Sequence, residues 1–236
     1  MKARLIAFSA IALTGIIIAG FMIKGKKEYV NSTEYREKHN NVLKIINPYD
    51  VNPALVDDSI KLVRTGHTVA DFKFVNQYGD TITQNNLNGK IYVADFFFTT
   101  CGSVCPKLAK QMQRLQAEFI DDDWLMLINH TVWPEGDSVS RLYDYSVKYK
   151  ANPKKWWFLT GDKEQLYTMA RKSYLAVPDK ADPNFEHGSE SDFIHTENFI
   201  LVDPDKRIRG MYDGTNPDEV SDLIKDIYDL KREYGF

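Results

Sequence analysis

Hydrophobic and polar positions divide the chain into three stretches of different character. Leu5 to Ile23 reads LIAFSAIALTGIIIAGFMI, without a single charge. As a helix it would extend roughly 28 Å, close to the ~30 Å hydrocarbon core of a bilayer. Basic residues flank it on both sides, and its end, FMIKGKK, offers no A-x-A cleavage site. The expectation is an uncleaved N-terminal transmembrane helix, with residues 1–27 as membrane anchor; a cleaved signal peptide is the alternative. Residues 28–66 mix polar stretches with weakly periodic apolar ones around Pro48 and Pro53, which suits a stalk and docking segment.

From His67 to Phe236 the pattern becomes that of a folded domain. DFKFVNQYGDTITQNNL alternates around Tyr78-Gly79-Asp80, a hairpin signal. IYVADFFF, Ile91 to Phe98, is nearly all apolar, as expected for a strand covered on both faces. Thr99 to Ser103 break that run, and Pro106 to Phe119 return to helical spacing, with Leu108, Met112 and Leu115 on one stripe. Pro106 is tolerated early in a helix because its missing N–H would have no partner there. WLMLINHTV and WWFLT read as further strands, followed by helices through SVSRLYDYSVKY and GDKEQLYTMARKSYL, the second capped by Asp162. NFILVD and RIRGMYD turn about Pro204-Asp205, and a last helix starts at Pro217. This order predicts an α/β protein: a central mixed sheet with helices on both faces, in the manner of an elaborated thioredoxin-like fold.

Composition narrows the function. With 43% hydrophobic and 27% charged residues in 236, collagen-like and wholly disordered chains are excluded. The net charge of −3 conceals an asymmetry. Residues 1–27 carry Lys2, Arg4, Lys24, Lys26 and Lys27 and no acid, so the remainder has a net charge of −8. An acidic body argues against nucleic acid as a partner and suits one with a basic face. The chain has no phosphate-binding glycine loop and no G-x-S-x-G elbow. Trp133, Trp156 and Trp157 are expected in core or boundary packing.

Two cysteines are too few for a disulfide-rich scaffold or a four-cysteine zinc site. Both lie in FFFTTCGSVCPKL, beyond a buried strand and at the opening of a helix. Strand ends in α/β sheets are where sites are built, and a helix N-terminus stabilises thiolates. Cys101 and Cys105 have three residues between them, not the two of a thioredoxin motif. Three readings are open: a structural disulfide or inert thiols, a redox dithiol, or a soft-metal site with one further ligand. Among five histidines, His39 falls in the polar stalk, while His67 and His187 read as surface or loop residues. His130 ends an apolar strand and could approach the cysteines. His195, in SESDFIHTENFILVD, is the strongest candidate. In thioredoxin-like folds the loop leading into that strand faces the cysteine loop across the sheet end, and two sulfurs with one imidazole suit copper.

FFFTTCGSVCPKL, HTVWPEGDSV, WWFLTGDKEQLYTMA and HTENFILVDPDKRIRGMYDG together resemble the SCO/SenC family of copper-binding, membrane-anchored thioredoxin-like proteins, over roughly residues 67–236. The resemblance implies copper held by Cys101, Cys105 and His195. It implies a role in assembling the copper centre of cytochrome c oxidase, whose copper-centre subunit or another cysteine-bearing acceptor would be the partner. It further implies a cytoplasmic N-terminus with the domain on the extracytoplasmic, periplasmic side of the cell membrane. Asp192 resembles the position of family acids near the site. The family usually has proline after the first cysteine, where this chain has Gly102. The competing function is a thiol–disulfide oxidoreductase acting on a partner's cysteines, with Cys101 as nucleophile.

Overall fold

Residues 42–53, 56–176 and 196–236 are described by a computed structural model. Its strands and helices follow the predicted order. The hairpin is β1 (Lys73–Asn76) and β2 (Thr81–Thr83). Then come β3 (Ile91–Phe97), α1 (Cys105–Glu118), β4 (Leu125–Thr131), α2 (Val139–Lys148), β5 (Trp156–Thr160) and α3 (Lys163–Thr168). The chain finishes with β6 (Asn198–Val202), β7 (Ile208–Asp213) and α4 (Pro217–Tyr234). One seven-stranded sheet results, in the order β2-β1-β5-β4-β3-β6-β7. The central strands β3, β4 and β5 are parallel, because helical crossovers return the chain to the same sheet end. β1 and β6 flank them antiparallel, and β2 and β7 complete the two hairpins.

All seven residues of β3 are buried, so its alternation feeds two cores. Tyr92, Ala94 and Phe96 join one core with Ile128, Leu159 and Ile200, covered by Leu166 of α3 and by Met169 and Tyr174 beyond it. That helix widens into a π-turn over Met169–Ser173. On the other face the Phe97 ring packs against Tyr145 of α2 at 5.1 Å and Phe158 of β5 at 5.4 Å, centroid to centroid. Tyr212 of β7 donates to Asp226 of α4 at 2.6 Å, and α1 buries the predicted stripe of Leu108, Met112 and Leu115. Helices therefore cover both faces. Asp162 caps α3 as expected, its Oδ1 accepting the Gln165 N–H at 2.8 Å. Trp156 is buried, and Trp133 and Trp157 sit at the core boundary.

Val42–Phe236 forms one compact unit. Within it Leu43, Ile46, Val51 and Val56 are buried, and Ile46 pairs with Ile208 through an antiparallel bridge. The expected anchor at 1–27, the first part of the stalk, His39, His187, Asp192 and His195 lie outside the described residues. Among the described residues no helix is long and apolar enough to cross a membrane.

Candidate metal centre

Cys101 and Cys105 are brought together where β3 ends and α1 begins. The Cys101 N–H donates to the Phe98 carbonyl at 3.2 Å, which folds the chain back as soon as the strand stops. Val104 stands at the N-cap of α1 without a side-chain cap, and Pro106 occupies the first turn, where it removes no bond. The sulfur of Cys101 fills part of that gap, accepting the Cys105 N–H at 3.4 Å. Ser103 Oγ approaches the same sulfur at 3.9 Å. Both thiols are free.

The two sulfurs are not equivalent. Cys101 is half-buried and Cys105 is buried. Burial disfavours the Cys101 thiolate, but the backbone N–H groups of Cys105, Ser103 and Val104 outweigh it and hold the thiol below its ordinary value. Burial pushes the Cys105 thiol far up, and the neighbouring Cys101 and Asp95 side chains add to the effect. Cys101 is thus the nucleophilic, exposed sulfur, and Cys105 the protonated inner one.

A pocket opens over the pair, walled by Phe98, Val104, Thr196 and Glu197 together with the cysteine loop. Thr196 and Glu197 lead into β6, so the chain ahead of β6 does face the cysteine loop. His195, the residue before Thr196, lies outside the described residues. Among those described, no three His, Cys, Asp or Glu side chains are grouped to hold a metal.

The other histidines take structural places. His130 does not reach the cysteines: it is fully buried among Phe72, Phe74, Phe96 and Tyr174, on the opposite sheet face from Asp95. Its Nε2 meets the Tyr174 hydroxyl at 3.3 Å, not a backbone group, and burial drives its pKa down to about 3. His67, expected on the surface, is half-buried, its Nε2–H donating to the Ser173 carbonyl at 2.9 Å.

Two acids near the cysteines escaped the sequence reading. Asp95 of β3 is buried, and neither carboxyl oxygen has a hydrogen-bond partner among the described residues. Burial pushes its pKa well above the carboxylate range, which the nearby Asn129 side chain offsets only in part. Its signal was present: one acid inside the apolar run IYVADFFF. Asp137, also fully buried, binds the chain just ahead of Cys101. Nothing local in PEGDSV announced it.

The SCO1/SenC family profile matches residues 61–230. The chain belongs to the SCO1/SenC family. A SCO1 protein homolog of Bacillus subtilis (strain 168) is 31% identical over 166 residues, which are 68% of this chain and 81% of the relative. A protein of Stutzerimonas stutzeri, named as a candidate copper-binding protein, is 27% identical over 163 residues, 68% of this chain and 76% of its own length. Among solved structures, BsSco superposes with a TM-score of 0.58 at 30% identity, covering 70% of this chain and 93% of that one. BsSco is a member of the Sco family of cytochrome c oxidase assembly proteins in which a disulfide switch was identified. The thioredoxin-like sheet of this SCO1/SenC chain is the fold these proteins share.

Proposed function

We propose that the protein is a copper metallochaperone of cytochrome c oxidase assembly that holds copper through Cys101, Cys105 and His195. The carrying observation is the meeting of two uncrosslinked thiols at one helix N-terminus, the Cys105 N–H donating to the Cys101 sulfur at 3.4 Å. Soft sulfur donors favour Cu(I) over magnesium or calcium, and two thiols fall short of the four ligands usual for structural zinc. The copper-binding and oxidase-assembly descriptions of the relatives support the same reading.

Copper is cargo here. The chain's own part is to supply thiolates, to release the Cys105 proton on binding, and to exchange ligands with an acceptor's cysteines. The acceptor in this reading is the copper-centre subunit of cytochrome c oxidase or another cysteine-bearing protein. Because Cys105 is protonated at neutral pH, apparent affinity rises with pH, about tenfold per unit for each proton released. The apolar segment 5–23 anchors the chain in the cell membrane, with the domain on the extracytoplasmic side. The test is anaerobic Cu(I) titration of the reduced full chain against a chromophoric chelator. One equivalent is expected, lost in Cys101→Ser and Cys105→Ser and weakened in His195→Ala. No stoichiometric uptake by the wild type would end the proposal.

The asymmetry of the thiols favours a second reading, thiol–disulfide exchange with a partner. The Cys101 thiolate attacks one sulfur of a partner disulfide, forming a mixed disulfide and releasing the other sulfur as a thiolate that takes up a proton. Cys105, deprotonated, then attacks Cys101 and expels the second partner thiol. Two electrons pass to the partner and a Cys101–Cys105 disulfide remains. Partner reduction at the wild-type rate by His195→Ala would favour this reading, since exchange does not use the histidine.

A further inference from the structure

We propose that Asp137 is a positioning residue for the Cys101–Cys105 pair: its buried carboxylate clamps Thr99 to the end of β4 and so sets the starting point of the cysteine loop. This rests on the use of the two thiols proposed above, for copper or for exchange.

The contacts are unusually concentrated. Oδ1 and Oδ2 each accept the Thr99 N–H at 3.2 Å. Oδ1 also accepts the Thr99 hydroxyl at 2.5 Å, and Oδ2 the Thr131 hydroxyl at 2.5 Å. Thr131 is the last residue of β4, and its hydroxyl oxygen accepts the Trp133 N–H at 3.0 Å. The Asp137 N–H closes its own loop on the Trp133 carbonyl at 2.8 Å. Side chain and backbone thus tie three chain segments to one fully buried carboxylate.

The consequence reaches the sulfurs in two steps. Thr99 is two residues ahead of Cys101, and the bond from the Cys101 N–H to the Phe98 carbonyl gives this stretch a second fixed point. Past Cys101 the loop contains Gly102, whose backbone is freer than that of any other residue, so the loop leans on the contacts at its two ends. Held at Thr99, the loop delivers the Cys101 sulfur to the Cys105 N–H; released, it spreads over more conformations and the two sulfurs meet less often. Outer-shell groups that orient ligands in this way typically change affinity 10–100-fold when removed.

Thiol–disulfide equilibrium reads this without copper. The full chain is equilibrated with glutathione, where oxidation takes two electrons and two protons from Cys101 and Cys105 and converts one oxidised glutathione into two reduced ones. Asp137→Asn puts an amide N–H₂ where a carboxylate oxygen accepted, and Thr99→Val removes the hydroxyl but keeps the backbone N–H. Each is expected to lower the dithiol oxidation constant about tenfold, a rise of about 30 mV in reduction potential. Thr99→Ser, which keeps the hydroxyl, is expected to restore the wild-type constant. Cu(I) affinity should fall in parallel in the same two variants. If Asp137→Asn and Thr99→Val lower the melting temperature while leaving the oxidation constant at the wild-type value, Asp137 is only structural and the proposal is overturned. A wild-type chain that bound no copper would end the chaperone reading but would leave the glutathione measurement to decide this one.

Discussion

Two buried acids in this protein are treated in opposite ways. Asp203, just past β6, is fully enclosed, and both of its oxygens are satisfied. Oδ2 accepts from Arg207 at 2.8 Å and Arg209 at 2.9 Å, and Oδ1 from the backbone N–H groups of Asp205 and Arg207. Arg209, equally buried, also holds Glu233 of α4 with two bonds and the Leu43 carbonyl with a third. That cluster joins the 42–46 segment, β7 and the C-terminal helix. Asp95 has the same degree of burial, yet neither of its oxygens has a hydrogen-bond partner among the described residues. One acid is spent on stability, while the other leaves an uncompensated group within electrostatic reach of the Cys105 thiol. Burial alone does not make a charge stabilising; pairing does.

The sharpest way to break the contrast is to remove the pairing. Arg209→Ala leaves Asp203 with Arg207 and two backbone N–H groups but removes its buried guanidinium and frees Glu233 and the Leu43 carbonyl, and is expected to cost about 3 kcal/mol in urea unfolding. A loss near 1 kcal/mol would mean that the cluster contributes little. The converse change is Asp95→Leu, expected to stabilise by about 1–3 kcal/mol, because it replaces a partnerless polar group with an apolar one. The gain should grow with pH. A folded-state pKa above the unfolded value means that wild-type stability falls as pH rises from about 4 toward the raised pKa. A gain that shrank with increasing pH would contradict the burial of a neutral carboxyl.

At the thiols themselves, iodoacetamide should modify Cys101 at least about tenfold faster than Cys105 at neutral pH, followed by mass spectrometry of the peptides. The Cys101 rate should level off at a lower pH than that of an ordinary thiol. Equal rates would remove the asymmetry on which the exchange reading depends. The smallest effect concerns Gly102. A Cβ built there meets nothing within 4 Å, and its φ is not in the left-handed region. Gly102→Ala should therefore stabilise by about 0.4–1 kcal/mol, chiefly by restricting the unfolded chain, and leave copper uptake intact.

Much of this was legible along the chain. The run Ile91 to Phe98, the α1 stripe at Leu108, Met112 and Leu115, and Asp162 ahead of α3 were each readable within a dozen residues, and each is found in place. The histidines were harder. His130 and His67 looked like a strand end and a surface position, yet one is enclosed by four aromatic rings and the other bonds to Ser173, 106 residues away. Asp95 was visible as an anomaly in an apolar strand, but whether it had a partner depended on what packed above it.

By itself the sequence determined the order of strands and helices, a mixed central sheet with helices on both faces, and the placing of both cysteines at a strand end and helix start. Those features rest on periodicity, turn residues and spacing, all of which act between near neighbours. Only the tertiary structure decided which thiol is exposed, which acid is paired, and that Asp137 reaches back 38 residues to hold Thr99. Desolvation and hydrogen bonding depend on what surrounds a group in space, and that neighbourhood exists only once distant parts of the chain have met.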